Sequence, residues 1–229
     1  IKDRKQEYLL VWTTTPWTLT SNVVVAVNVN LEYVKLKSSD GSIYYFAKDN
    51  LEYQRLEKQF SDKKQWLDGV PKLKTISQIF KEHGGYEIIG SVSGTDLVGL
   101  EYIGPFDDLE AQNKAGGYPF VNESLEKESV SSVSQHKVID PGKDKIGNDI
   151  VVSGEGTGIV HMAPGCGDID HKVGKEKNLI NIAPLDEEAR FMDNFGWLKN
   201  KSATEPETID LIIEDLKKRH FLVYVEEYP

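Results

Sequence analysis

Cysteine is nearly absent: the 229-residue sequence holds one, Cys166. An internal disulfide and a cysteine-based zinc site are therefore excluded. A lone thiol suits a reducing compartment. Long apolar runs are missing too, and no window approaches the roughly 18 consecutive apolar residues that mark a membrane-crossing helix. Excess positive charge is also lacking. Lys and Arg number 27 against 37 Asp and Glu, for a formal charge of −10, which argues against tight nonspecific nucleic-acid binding by this chain. The chain starts at Ile1 without a signal-peptide pattern and reads as a piece of something longer. It carries no internal repeat and no convincing linker.

What is present looks globular. Hydrophobic residues make up 39% and charged residues 28%, a composition that excludes a disordered chain. Residues 8–12, 23–27, 33–37 and 42–46 are rich in Val, Tyr, Leu and Ile, and read as strands. Asp40-Gly41 predicts a hairpin between the last two. Residues 49–60 read as a surface helix, 61–90 as mixed, and 86–89 and 96–98 as short strands. Residues 115–145 look loop-rich, with Gly116-Gly117 and Asp140-Pro141-Gly142 as turn chemistry. Strands are expected at 149–152, 158–162 and 221–225. A helix should follow Gly167 with Asp168 as its cap. The clearest helix is 206–220, with Ile209, Ile212, Ile213 and Leu216 on one face and Pro206 in the first turn.

Two clusters can carry chemistry. Thr13-Thr14-Thr15-Pro16-Trp17-Thr18 places consecutive hydroxyls where Pro16 ends a strand. Such a corner can hold an ester carbonyl, a ribose hydroxyl or a water. Threonine is equally at home there for packing alone, being β-branched. The second cluster runs from Gly154 to His171 and is dense in glycine, which lets backbone approach a ligand closely. It lacks the Lys-Ser/Thr of a P-loop and opens no Gly-x-Gly-x-x-Gly unit, so nucleotide binding in those styles is not expected. His161 with Cys166 suggests a thiol hydrolase, and His161, Asp170 and His171 a zinc site. Neither spacing is a specific signature, and structural packing is the better reading of any one residue alone.

Taken together, the clusters are more specific. Trp12-Thr13-Thr14-Thr15-Pro16-Trp17-Thr18-Leu19 with Ser21-Asn22 resembles the threonine-rich signature of the editing domain inserted in isoleucyl-tRNA synthetases. Gly156-Thr157-Gly158-Ile159-Val160-His161-Met162-Ala163-Pro164-Gly165-Cys166-Gly167, continuing to Asp170, resembles the second signature of the same domain. Valyl and leucyl relatives usually read Thr-Thr-Arg-Pro in the first block. Here Thr15 and Trp17 flank Pro16, which favours the isoleucyl branch. Ala183-Pro184-Leu185-Asp186 and Asn194-Phe195-Gly196-Trp197 also fit. Thr20 departs from the family, which commonly has Pro there. The synthetic-site signatures of the family are absent, and the match is firm over residues 8–30 and 150–200.

The resemblance implies a mainly β, α+β domain with peripheral helices around a closed β-barrel-like core. It implies one domain over 1–229, with surface insertions around 61–85 and 115–145. The implied activity is hydrolytic proofreading of valine misattached to isoleucine tRNA. Thr13, Thr14, Thr15 and Asp170 take the catalytic positions. Trp17, Asn22, His161 and Asp170 take the substrate-binding ones. Asp170 resembles the family's anchor for the α-ammonium, and His161 its barrier to the extra methylene of isoleucine. No cofactor or metal is implied. The implied partners are the misacylated acceptor end of isoleucine tRNA and the remainder of a synthetase chain, in the cytoplasm and without a membrane. Lys72 and Lys74 are candidates for weak tRNA contact, or simply a solvated face. The alternatives are an editing domain of valyl or leucyl type and a non-catalytic tRNA or amino-acid binding module.

Overall fold

The computed structural model describes residues 1–53, 73–114 and 130–226. Among the described residues, seven short strands form two sheets. In the first, β1 (Glu7–Leu9) lies parallel to β4 (Ile43–Ala47), β4 pairs antiparallel with β3 (Glu32–Ser38), and β3 pairs antiparallel with β5 (Tyr86–Ser93). In the second, β2 (Val24–Ala26) is central, parallel to β6 (Val138–Ile139) and antiparallel to β7 (Val160–Met162).

The run Val23-Val24-Val25-Ala26-Val27 is apolar throughout because β2 is covered on both faces. Val24 and Ala26 point into the largest core cluster with Phe106, Phe191, Phe195 and Ile212. Val25 and Val27 point the other way, into a cluster with Tyr33, Tyr45, Leu97 and Ile159. A strand alternates its side chains with period two, so full burial demands apolar residues at every position. A third cluster, Val34, Leu36, Phe46, Ile76 and Phe80, fills the far side of the first sheet.

Among the described residues, six α-helices accompany the sheets: α1 (Ile76–Glu82), α2 (Gly94–Leu97), α3 (Glu110–Asn113), α4 (Ser132–Gln135), α5 (Asp168–Glu176) and α6 (Pro206–Lys218). Helix α6 presents Thr208, Ile212 and Leu216 to the core, as its spacing predicts. The Asp40-Gly41 hairpin joins β3 and β4, with Ser42 N–H donating to Asp40 Oδ1 at 2.9 Å.

Several expectations are corrected. Mixed sheets with helices are present, but the two ladders do not close into a barrel among the described residues. The strands of the second sheet are two or three residues long, too short to extend the ladder, and both faces of β2 are already packed. The sheets instead touch where Ala47 N–H donates to Thr157 O at 2.9 Å and Tyr33 Oη donates to Gly158 O at 3.0 Å. The strand expected at 96–98 is α2, because Ser93 and Asp96 form a reciprocal capping box. Helix α1 arises in the stretch read as mixed, started by the Thr75–Gln78 capping box. Residues 149–152 make one isolated bridge, Asp149 with Lys143, rather than a strand. Residues 221–225 form no strand either. Gly167, not Asp168, is the cap of α5.

Of the surface helix expected at 49–60, Lys48–Asn50 is a single 3-10 turn and 54–60 lie outside the described residues. Within the stretches read as insertions, 61–72 and 115–129 also lie outside them. Residues 130–145 carry α4 and β6, and β6 is an integral strand of the second sheet.

Candidate functional site

The threonine cluster leaves β1 and turns at once. Pro16 fixes the first residue of a 3-10 turn, Pro16–Ser21, which delivers the chain into β2. The turn is knotted by its own hydroxyls. Thr15 N–H donates to Thr13 Oγ1 at 3.0 Å, Thr14 and Thr15 hydroxyls lie 3.3 Å apart, and Thr18 Oγ1 donates to Thr15 O at 2.8 Å. Thr14 is exposed, while Thr13 and Thr15 are half-buried. Thr20 is buried and donates to Trp17 O at 2.7 Å, so its hydroxyl ties the turn where the family commonly has proline.

The second cluster is brought alongside by the β2–β7 pairing, which sets His161 opposite Val25. Thr18 Oγ1 and His161 Nε2 then lie 3.1 Å apart. The clusters touch again where Gly156 packs under Trp12: a Cβ there would sit 3.0 Å from the indole. After β7 the chain makes a tight turn, Cys166 N–H donating to Ala163 O at 2.8 Å, and enters α5. Asp170, in the first turn of α5, reaches back so that Ala163 N–H donates to its Oδ2 at 2.8 Å. Its Oδ1 takes no hydrogen bond among the described residues. The carboxylate of Asp170 is therefore held at Ala163, the residue after β7 and two positions past His161.

Burial dominates the electrostatics. It pushes the Asp170 carboxyl above its ordinary range, partly offset by the Ala163 N–H. It depresses His161 to about 4, so the imidazole is neutral near neutral pH. It raises the Cys166 thiol to about 12, with the Ser21 hydroxyl opposing and the charge of Asp170 adding. A thiol that burial keeps protonated and an imidazole without a hydrogen bond to it do not make an activated nucleophilic pair, which argues against the thiol-hydrolase reading. His171 Nδ1 turns to Pro164 O at 3.3 Å, and no three His, Cys, Asp or Glu side chains gather as a metal site among the described residues.

The remaining candidates sit differently. The Trp17 ring packs against the largest core cluster. Asn22 is buried: its amide donates to Val24 O at 2.9 Å and its Oδ1 accepts from Tyr102 Oη at 2.5 Å. It stands behind the corner and holds it. Lys74 pairs with Glu82 at 2.6 Å, and Lys72 lies outside the described residues. Sequence reasoning gave no role to Thr18, Tyr102 or His136. For Thr18 a signal existed, three residues past Thr15 in one turn. For Tyr102 and His136 none did. Most glycines of the second cluster approach protein rather than open space: a Cβ on Gly165 would lie 2.0 Å from Ile182 O, and one on Gly158 2.3 Å from Ala47 Cβ.

No protein-family model matches the chain. It is similar over its whole length to the isoleucine–tRNA ligase of Sulfolobus acidocaldarius, 30% identical over 237 residues, of which it covers 18%. It is likewise similar to isoleucine–tRNA ligase 2 of Bacillus anthracis, 29% identical over 228 residues and 16% of that protein. Among solved structures, the Plasmodium knowlesi cytosolic leucyl-tRNA synthetase editing domain aligns with 94% of this chain and 72% of its own, at 16% identity and a TM-score of 0.40. The chain is homologous to one stretch of the isoleucine–tRNA ligases, and spans 16–18% of the length of the curated relatives it matches. No helix of the described residues is long and apolar enough to cross a membrane.

Proposed function

We propose that the chain is the editing domain of an isoleucine–tRNA ligase and hydrolyses the ester that joins valine to isoleucine tRNA. The observation that carries this reading is the 3.1 Å meeting of Thr18 and His161, which puts a hydroxyl-lined corner and the approach to Asp170 in one place. The need for such a domain follows from magnitudes. One methylene gives a binding pocket only roughly 1–3 kcal/mol of discrimination, a limit for which the isoleucine enzyme is itself the standard illustration. A second pocket that admits valine and excludes isoleucine does the rest by shape.

Asp170 anchors the α-ammonium through Oδ1 while Oδ2 stays on the Ala163 N–H. An arriving ammonium restores the charge that burial disfavours. His161, neutral and clamped by Thr18, is a wall rather than an acid. Thr13, Thr14 and Thr15 line the ester and the terminal adenosine and orient the attacking water. Asn22 fixes that corner from behind, and Trp17 shapes it from the core side. Water adds to the ester carbonyl, the ribose oxygen leaves with a proton, and valine and free tRNA result. Orientation of water supplies the catalysis, with no metal or cofactor in the scheme. The partners are the acceptor end of the misacylated tRNA and the rest of the ligase, in the cytoplasm.

The test is deacylation of valyl-tRNA(Ile) by this chain, with isoleucyl-tRNA(Ile) as control. Selective release of valine is expected. Release of threonine from threonyl-tRNA(Val) in its place would assign a valyl-type editor. Tight binding without hydrolysis would make the chain a binding module.

A further inference from the structure

We propose that His136 is a positioning residue: a doubly donating imidazolium, held by Asp107, that fixes Val23 and, with Tyr102 and Asn22, the corner where the threonine turn docks on β7.

His136 is buried at 3% exposure, and neither ring nitrogen faces water. Nδ1 lies 2.8 Å from Val23 O, and Nε2 lies 2.9 Å from Asp107 Oδ1. A backbone carbonyl and a carboxylate both accept and cannot donate. Each ring nitrogen must therefore carry a hydrogen, and the ring that carries both is the imidazolium. The buried charge is matched where it lies. Asp107 supplies the countercharge, its second oxygen being held by Gly104 N–H at 2.9 Å. Tyr102 stacks on the ring at 4.8 Å with an interplanar angle of 10°, offering its π face to the cation.

The far ends of this strut lie in the site. Val23 N–H donates to Met162 O at 2.9 Å, the residue after His161. Tyr102 Oη donates to Asn22 Oδ1, and Asn22 ends the Pro16–Ser21 turn that carries Thr18. Loss of one ring proton would set a bare nitrogen against an acceptor, either at Val23 or at Asp107. The corner would then be released from one side. Asp107 and Tyr102 are the titratable groups in contact with the ring among the described residues. Burial holds the Tyr102 hydroxyl protonated far above neutral pH.

The link to catalysis rests on the editing reading, whereas the protonation state of the ring does not. Two-bond proton–nitrogen NMR of His136 in the whole chain at neutral pH is expected to show both ring nitrogens protonated. One bare nitrogen overturns the proposal. His136→Ala risks unfolding, so the variant of choice is Asp107→Asn, which keeps an acceptor and removes the countercharge. In it the ring should show one bare nitrogen where the parent shows none. The amide signals of Asn22 and Thr18 should shift with that change, and valyl-tRNA hydrolysis should fall on the order of tenfold or more in kcat. Amide signals unchanged from the parent, or a parental kcat, overturn the positioning role. If the parent releases no valine, the editing reading fails, and the two NMR readouts still decide the strut.

Discussion

The Thr18 hydroxyl and the His161 imidazole meet at 3.1 Å across 143 positions of sequence. Thr18 has one hydroxyl hydrogen, and it goes to Thr15 O at 2.8 Å. Toward His161 it can therefore only accept, so Nε2 carries the ring hydrogen. Nδ1 is the bare nitrogen, buried and without a hydrogen-bond partner in the described structure. The orientation of the ring is thus set by a hydroxyl that belongs to the threonine turn.

That relay predicts a separation between two Thr18 variants. Thr18→Ser keeps the hydroxyl and should keep discrimination. Thr18→Val keeps the volume but loses the bond, worth about 1 kcal/mol, and should let the ring swing. Isoleucyl-tRNA hydrolysis should then appear in Thr18→Val, as it should more fully in His161→Ala, where the wall is gone. Equal discrimination by both Thr18 variants would mean that His161 is held by packing alone.

Asp170 predicts opposite effects on stability and binding. Burial raises its pKa in the folded chain above the unfolded value. The folded state therefore binds the proton more readily, and this contribution to stability is present at low pH and lost as pH rises through the folded pKa. Asp170→Asn should flatten that part of the stability profile and leave the ligand-free chain more stable at neutral pH, as measured by denaturant titration. The amide still accepts from Ala163 N–H. It cannot match an ammonium, so affinity for a valyl-adenosine analogue should fall by about 1.5–3 kcal/mol, or about tenfold to over a hundredfold. A variant that binds like the parent would leave the anchor elsewhere.

Much of this was readable in advance, for reasons tied to particular residues. The valine run of β2 and the Ile209–Leu216 stripe of α6 are periodic patterns that burial imposes. The Asp40-Gly41 hairpin is local turn chemistry. The threonine block and the His161–Asp170 block were legible as a pair because both are contiguous. The closed barrel expected from the sequence is not seen among the described residues, since closure depends on hydrogen bonds between distant strands that no local pattern reports. Helix α2 was misread because Val98 and Leu97 look strand-like while the capping box of Ser93 and Asp96 decides the matter. His136 and Asp107 lie 29 positions apart in unremarkable sequence, and only folding places them behind Asn22.

Cys166 should be chemically quiet despite its place between Ala163 and Asp170. Its thiol is pushed up to about 12, so almost no thiolate exists at neutral pH. Alkylation by iodoacetamide in the folded chain should be much slower than in denaturant, and Cys166→Ala should release valine at the parental rate. A fast-reacting thiol, or an inactive Cys166→Ala of native stability, would restore the thiol to the mechanism.

The glycines around that turn separate packing from ligand access. A methyl on Gly165 would meet Ile182 O at 2.0 Å and Ile182 C at 2.4 Å, both backbone atoms that cannot swing aside. Gly167 has nothing within 4 Å of such a methyl, and its φ of −164° is extended backbone open to any residue. Gly165→Ala should therefore cost about 1–3 kcal/mol or more from overpacking. Because the strain falls on the Ala163–Cys166 turn that supplies the N–H for Asp170, hydrolysis should fall with it. Gly167→Ala should cost only about 0.5–1 kcal/mol, through a poorer helix cap. Denaturant midpoints for the pair give the comparison, and equal losses would show that the turn moves freely against Ile182.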